Sequence, residues 1–115
     1  MHEMGIAQQL FQIAIDSIPE EEKKPRVEQV NLKIGKLAAV VEHSLTFCFD
    51  IISKDSPLED AVLNIETVPV TIHCKGCGNR WEVDNPVFTC PHCDENDIEL
   101  VTGREIQVAS IILAD

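Results

Sequence analysis

Over residues 3 to 18, Met4, Ala7, Phe11, Ala14, Ile15 and Ile18 recur at helical spacing, while Gln8, Gln9, Gln12 and Asp16 fall on other faces. The chain is therefore expected to open with an amphipathic helix that Pro19 stops. The charged run Glu20-Glu21-Glu22-Lys23-Lys24-Pro25 reads as a solvated connector. Val30, Leu32 and Ile34 then alternate with Asn31 and Lys33, the pattern of a strand over 27 to 34 with one face on a core, and Gly35 marks its end. A second helix fits 43 to 54, with Leu45, Cys48, Phe49 and Ile52 on one face. Glu42 suits the positive N-terminal end of its dipole and Lys54 the other end.

After a loop at 55 to 60 holding Asp55-Ser56-Pro57, Leu63, Ile65 and Thr67 alternate along another strand. Pro69 interrupts it, a candidate hinge, before Val70 and Ile72 lead to Cys74. The last apolar run, Ile106 to Leu113, is hydrophobic at both parities, which suggests a strand covered on both faces and hence a central position. Strand, helix and strand between 27 and 67 imply a parallel pair with a right-handed crossover, to which the C-terminal strand returns antiparallel. The expected fold class is α+β: a small mixed three-stranded sheet covered by two helices, with a metal-binding ribbon inserted on connections that contain Pro69 and Gly103.

That insertion is the strongest chemical signal in the chain. Cys74-Lys75-Gly76-Cys77 and Cys90-Pro91-His92-Cys93 are two Cys-x-x-Cys knuckles separated by twelve residues. A tetrahedral Zn²⁺ takes two thiolates from each such turn, with Gly76 and Gly78 freeing the first knuckle and Pro91 stiffening the second. Two disulfides are the competing reading. They are disfavoured because Met1-His2-Glu3-Met4 lacks the basic and apolar regions of a secretory signal, which places the protein in the cytoplasm. A thiol redox enzyme is disfavoured too, since paired knuckles sequester metal. Four cysteines close a structural shell, so His73 and His92 read as neighbours and not as ligands. Cys48, on the apolar stripe of the second helix, reads as a small core hydrophobe.

Charge narrows the partners. Of 115 residues, nine are Lys or Arg and twenty are Asp or Glu, a net charge of −11. Around the ribbon, Glu82, Asp84, Asp94, Glu95, Asp97 and Glu99 face only Lys75 and Arg80, so the phosphate backbone of nucleic acid is repelled. No apolar run approaches the roughly twenty residues of a membrane helix. There is no Gly-rich phosphate loop, nucleophile elbow or paired-carboxylate arrangement, so no enzyme is indicated.

One further feature is His2. Its imidazole and its own amide nitrogen can close one chelate ring, and the Glu3 amide or the Met1 amine can close another. Planar, nitrogen-rich coordination of this kind is what Ni²⁺ and Cu²⁺ prefer. The alternative is a frayed, exposed terminus.

Taken together, Met1-His2-Glu3, Leu32-Lys33-Ile34-Gly35, Ser44-Leu45-Thr46-Phe47-Cys48-Phe49-Asp50, Ile65-Glu66-Thr67-Val68-Pro69 and the two knuckles resemble the HypA/HybF hydrogenase maturation proteins over essentially the whole chain. The resemblance implies a nickel metallochaperone. In it, His2 with Glu3 and backbone nitrogens hold a transient Ni²⁺, with Met1 as a further candidate donor, while Cys74, Cys77, Cys90 and Cys93 hold a structural Zn²⁺. Residues 1–72 plus 98–115 would be the nickel-binding domain and 73–97 the zinc ribbon. The implied partners are a hydrogenase maturation GTPase and the nickel-iron hydrogenase large subunit precursor. Such family members often place an acidic residue at the opening of the second helix, where this chain has Glu42 followed by His43. The competing function is a zinc-ribbon adaptor between proteins with no nickel role.

Overall fold

The strand that organises the first part of the molecule is β1 (Val27–Gly35), the middle member of a sheet ordered β2-β1-β6. The structure is a computed structural model, and it describes residues 2–21, 25–83, 89–93 and 97–115. Along the chain the elements are α1 (Glu3–Asp16), β1, a 3₁₀ turn (Lys36–Ala38), α2 (Glu42–Ile52), β2 (Val62–Val68), β3 (Val70–Cys74), β4 (Arg80–Val83), β5 (Ile98–Thr102) and β6 (Ile106–Leu113). A second three-stranded sheet is ordered β4-β3-β5. The chain divides into two compact units: Met1–Lys33, Val40–Glu66 and Gln107–Asp115 form one, and Ile34–Ala39 with Thr67–Ile106 form the other. More chain thus gathers with the cysteines than the 73–97 segment.

In the first unit, the side chain of Arg26 donates to the Glu59 carbonyl and that of Asn64 donates to Asn31. Both contacts span the same sequence separation, so β1 and β2 run parallel. The Ala114 amide donates to the Arg26 carbonyl beyond one end of β6, and the Gly35 amide donates to the Glu105 carbonyl beyond the other, so β6 runs antiparallel to β1. The sheet is therefore mixed, as the crossover rule anticipates.

Position within the sheet differs from expectation. β6 is an edge strand and none of its residues is buried, whereas β1 holds the centre and buries Val27, Val30, Leu32 and Ile34. Apolar residues at both parities mark a strand able to be covered twice, but coverage is decided by its neighbours. Here one edge of β6 has no partner strand among the described residues.

The two helices run side by side in the same direction. The Glu3 carboxylate accepts the Val41 amide near their starts, and two turns on the rings of Phe11 and Phe49 meet edge to face with centroids 6.1 Å apart. Ile6, Ala7, Leu10 and Ala14 of α1 are buried, as are Leu45 and Phe49 of α2. The buried stripe of α1 is thus shifted from the expected one: Met4 is 39% exposed, and Ile6 and Leu10 take inner positions. With apolar side chains spread this widely around the helix, its periodicity admits adjacent stripes, and tertiary packing selects between them. Ser17 ends α1 by donating from both its amide and its hydroxyl to the Ile13 carbonyl. Ser53 ends α2 in the same way on Phe49, one residue before Lys54.

The second sheet lies outside the single-sheet expectation. β4 spans only four residues and β5 only five, too short for alternation to stand out. Pro69 lies between β2 and β3, one strand in each sheet, consistent with a break in the ladder where a proline has no amide to donate.

Candidate metal centre

β3 brings its alternating face to the knuckles: Val70, Ile72 and Cys74 are buried, while Thr71 and His73 point the other way. Beyond Cys74 the chain turns back tightly. The Gly78 amide donates to the Cys74 carbonyl and the Cys74 amide to the Asn79 carbonyl, each at 2.8 Å. Gly78 makes this return at φ +79°, a conformation that a side chain resists. The Lys75 amide donates to the Asp97 carbonyl at 2.8 Å, and Cys74 faces Ile98 across the β3–β5 ladder, so the strand leaving the ribbon holds the strand entering it. In the second knuckle the His92 amide points at the Cys90 sulfur, at 3.4 Å.

The result is a cage of sulfur. The Sγ atoms of Cys74, Cys77, Cys90 and Cys93 all lie within 4.8 Å of one another. Cys74 and Cys93 are 3.6 Å apart, and Cys77 and Cys90 are 3.7 Å apart. A tetrahedral zinc with bonds of about 2.3 Å needs sulfurs about 3.8 Å apart, whereas a disulfide needs about 2.05 Å. None of the four is joined in a disulfide, so the donor set fits a Zn²⁺ site and the disulfide reading does not describe this arrangement. Each of these two close pairs sets a thiol of one knuckle beside a thiol of the other, residues 19 and 13 positions apart.

The local field already favours thiolate at one position. Burial pushes the Cys90 thiol up, but the Cys93 and His92 amides and the neighbouring sulfurs more than offset it and bring it down to about 7. At Cys77 the Asn79 amide acts downward, yet desolvation and the Cys74 and Cys90 sulfurs leave it raised. Cys77 and Cys90 are thus shifted in opposite directions. A dication would remove the difference between these two by binding the deprotonated form of both.

Neither histidine joins the cage. His73 stands opposite Glu99 in the ladder, and its Nδ1 lies 2.8 Å from the Glu99 carboxylate, which this contact and the Lys75 charge hold below its usual range. His92 is exposed. The His73–Glu99 pair was not anticipated from the sequence; its only signal is that both residues are polar positions on alternating strands. Cys48 is half-buried on α2 and stands outside the cage, the one cluster of three or more ligand-type residues among the described residues.

At the other candidate site, His2 is the exposed residue preceding α1, in an extended conformation, and its carbonyl accepts the Ile6 amide at 3.2 Å. The amides of the first helical turn have no partner within a helix, so the Glu3 nitrogen is not committed to the ladder. The Glu3 carboxylate accepts the Val41 amide at 3.3 Å, and that amide together with its own holds Glu3 below its ordinary pKa. The structure thus brings the Glu3 carboxylate to the residue that precedes α2, and His43 is exposed on the first turn of that helix. Met1 lies outside the described residues, as do Asp84, Asp94 and Glu95 of the acidic ribbon surface and residues 22–24 of the first connector.

The model of the family described as "Hydrogenase/urease nickel incorporation, metallochaperone, hypA" matches residues 1–113. A hydrogenase maturation factor HypA of Desulfosudis oleivorans is 47% identical over 115 residues, covering 100% of both chains. Another, of Desulfatibacillum aliphaticivorans, is 44% identical over 115 residues, covering 100% of this chain and 88% of that one. Among solved structures, the solution structure of the Ni metallochaperone HypA from Helicobacter pylori aligns with a TM-score of 0.70 at 21% identity, over 98% of this chain and 97% of that one, which shows a shared fold.

Proposed function

The chain belongs to the HypA family of hydrogenase and urease nickel-incorporation metallochaperones, and on that premise we propose that it takes up Ni²⁺ at its N-terminus and releases it to the hydrogenase maturation machinery. The observation that carries this reading is the placement of His2. It is exposed, it stands at the head of a helix, and the next amide nitrogen is free of intrahelical bonding. The imidazole of His2 anchors the ion, and the amide nitrogens of His2 and Glu3, deprotonated on binding, complete a planar nitrogen set, with Met1 as a further donor. A helix N-terminus repels a bare cation but welcomes negative charge. Deprotonated amides supply that charge, so the local field favours the amidate-bound ion over a simple aquo ion.

Glu3 contributes its nitrogen, while its carboxylate is occupied with Val41 and sets the direction of the chelating segment. Few residues order around such a site and water reaches it, so an acceptor's ligands can displace its nitrogens one at a time. The thiolate cage is suited to the opposite task. Cys74, Cys77, Cys90 and Cys93 would hold Zn²⁺, which supplies a closed structural crosslink there. In this reading residues 1–72 with 98–115 carry nickel and 73–97 carry zinc. The protein acts in the cytoplasm by capture and handover without catalysis, and its partners are a maturation GTPase and the nickel-iron hydrogenase large subunit precursor, not nucleic acid.

Calorimetric titration of Ni²⁺ into untagged, zinc-loaded protein tests the reading, with His2→Ala and Cys74→Ala alongside and zinc assayed in each. Nickel binding is expected in the parent protein, absent in His2→Ala with zinc retained, and accompanied by proton release. Unchanged nickel affinity in His2→Ala would remove the terminal site. No nickel binding in the parent would leave the zinc-ribbon adaptor as the function.

A further inference from the structure

One face of the second sheet carries an apolar groove that the metal centre does not use. Residues directly opposed in a ladder share a face. Ile72 opposes Leu100 and Cys74 opposes Ile98, so Leu100 and Ile98 of β5 lie on the same face as the buried Val70 and Ile72 of β3. Beside them Leu37 of the 3₁₀ turn is 37% exposed, and these residues together line a cavity of about 430 Å³. That volume lies in the range of sites that enclose a ligand, and an apolar lining with few polar groups is their usual character.

Two features say what the groove takes. The first is charge. Its lining includes one cation, Arg104, whose guanidinium has no acidic partner among the described residues. The nearby carboxylates are engaged elsewhere: Glu99 with His73 and Lys75, and Glu105 with the Gly103 amide at 2.7 Å. The second feature is an end wall. Away from the cysteines, segments 35–37 and 103–105 are joined by the Gly35 and Leu37 amides, which donate to the Glu105 and Gly103 carbonyls. Leu37 and Arg104 belong to that wall, whereas Ile98 lies at the cysteine end, opposite Cys74. An apolar channel thus leads to an unpaired guanidinium and stops.

We infer that this groove binds the free carboxyl-terminus of another protein, its last residues apolar and its terminal carboxylate paired with Arg104. Guanidinium and carboxylate match as planar forks that form two parallel hydrogen bonds, and apolar walls that hold water off strengthen them. Charge selects a terminus over an internal acidic stretch. The chain carries −11, so a ligand with several carboxylates is repelled, while an apolar terminus brings a single negative charge. Geometry selects the same occupant. An internal segment has to continue past its carboxylate, where the joined segments 35–37 and 103–105 stand in the way; a chain that ends there does not. The groove lies within the unit that contains the cysteines and uses neither His2 nor a thiol, so the inference is independent of the nickel reading.

The test is an NMR titration of isotope-labelled, zinc-loaded full chain with N-acetylated Gly-Ser-Gly-Ile-Leu, carried to millimolar peptide. The amides of Leu37, Leu100 and Arg104 are expected to shift and saturate, while those of α1 and α2 stay in place. The same peptide ending in an amide is expected to bind roughly tenfold more weakly, the factor that about 1.4 kcal/mol gives. Arg104 is exposed, so Arg104→Gln is expected to keep the fold and its zinc while losing the preference for the acid over the amide. Leu37→Asp, which sets a charge on the apolar wall, is expected to abolish binding of both peptides. Absence of saturating shifts in the parent overturns the inference. So does equal binding of acid and amide, a preference that survives Arg104→Gln, or binding that Leu37→Asp leaves intact. An N-acetylated Gly-Ile-Glu-Leu-Gly amide that binds as tightly as the free terminus overturns it in favour of an internal acidic segment.

Discussion

Gly35 to alanine separates local conformation from tertiary contact, because the two give opposite signs. Gly35 sits at φ −71° and ψ 148°, an extended geometry that alanine adopts freely. Judged by conformation alone the substitution would stabilise by about 0.4–1 kcal/mol, through a stiffer unfolded chain. Its surroundings say otherwise. A Cβ there would lie 2.1 Å from both the carbonyl carbon and oxygen of Gly103 and 2.5 Å from the Arg104 nitrogen, all backbone atoms that cannot rotate away. The two segments must separate, straining the Gly35 amide bond to the Glu105 carbonyl and the Leu37 amide bond to the Gly103 carbonyl, both 2.8 Å. Overpacking costs about 1–3 kcal/mol and each weakened bond up to about 1, so a net loss of about 3 kcal/mol is expected. With an unfolding entropy of about 2.1 cal/mol/K per residue, that lowers the midpoint of a chain this size by roughly 12 °C. Differential scanning calorimetry of zinc-loaded Gly35→Ala reads it directly. A midpoint unchanged or raised would refute the close approach of Gly35 and Gly103.

Phe49→Ala removes a fully buried ring and its edge-to-face contact with Phe11, and urea titration should register a loss of about 3–5 kcal/mol; a loss below about 1 would mean the helix pair is held elsewhere. Cys74→Ala should lose zinc and, with it, amide protection in β3–β5, while the far-ultraviolet helical signal persists. Structural zinc is worth roughly 10–16 kcal/mol, but the helices have their own core, so collapse of the helical signal would place the cooperative boundary wrongly. The contact between Glu3 and the Val41 amide depends on a carboxylate whose pKa is lowered in the fold. What it contributes is therefore complete above the ordinary carboxylate range, about 4.3, and is lost as pH falls through the lower folded value. The Val41 amide resonance should titrate below that range, and a midpoint above it would show that the bond does not govern Glu3.

Much of the molecule was determined by local pattern. The spacing of the two knuckles was enough to anticipate the sulfur cage, because the reach of a Cys-x-x-Cys turn and the size of a tetrahedral ion leave little freedom. The helices and β1 were legible for a similar reason: a repeat of 3.6 or of 2 is written directly into which residues are apolar. His2 was visible as a possible chelator because its partners are its own backbone and the next residue.

What tertiary structure decided are relations between segments that share no local code. The sheet order set β1 at the centre and β6 at the edge, though β6 is the more uniformly apolar, since coverage is a property of neighbours. Which stripe of α1 turned inward was settled by packing, because Ile6 and Leu10 compete with Met4 and Ile15 at nearly equal hydrophobicity. The contact of Glu3 with Val41, the pairing of His73 with Glu99 and the approach of Gly35 to Gly103 join residues 26 to 68 positions apart. No periodicity reports such meetings. They follow from chain topology and close packing, which place groups together regardless of the sequence between them.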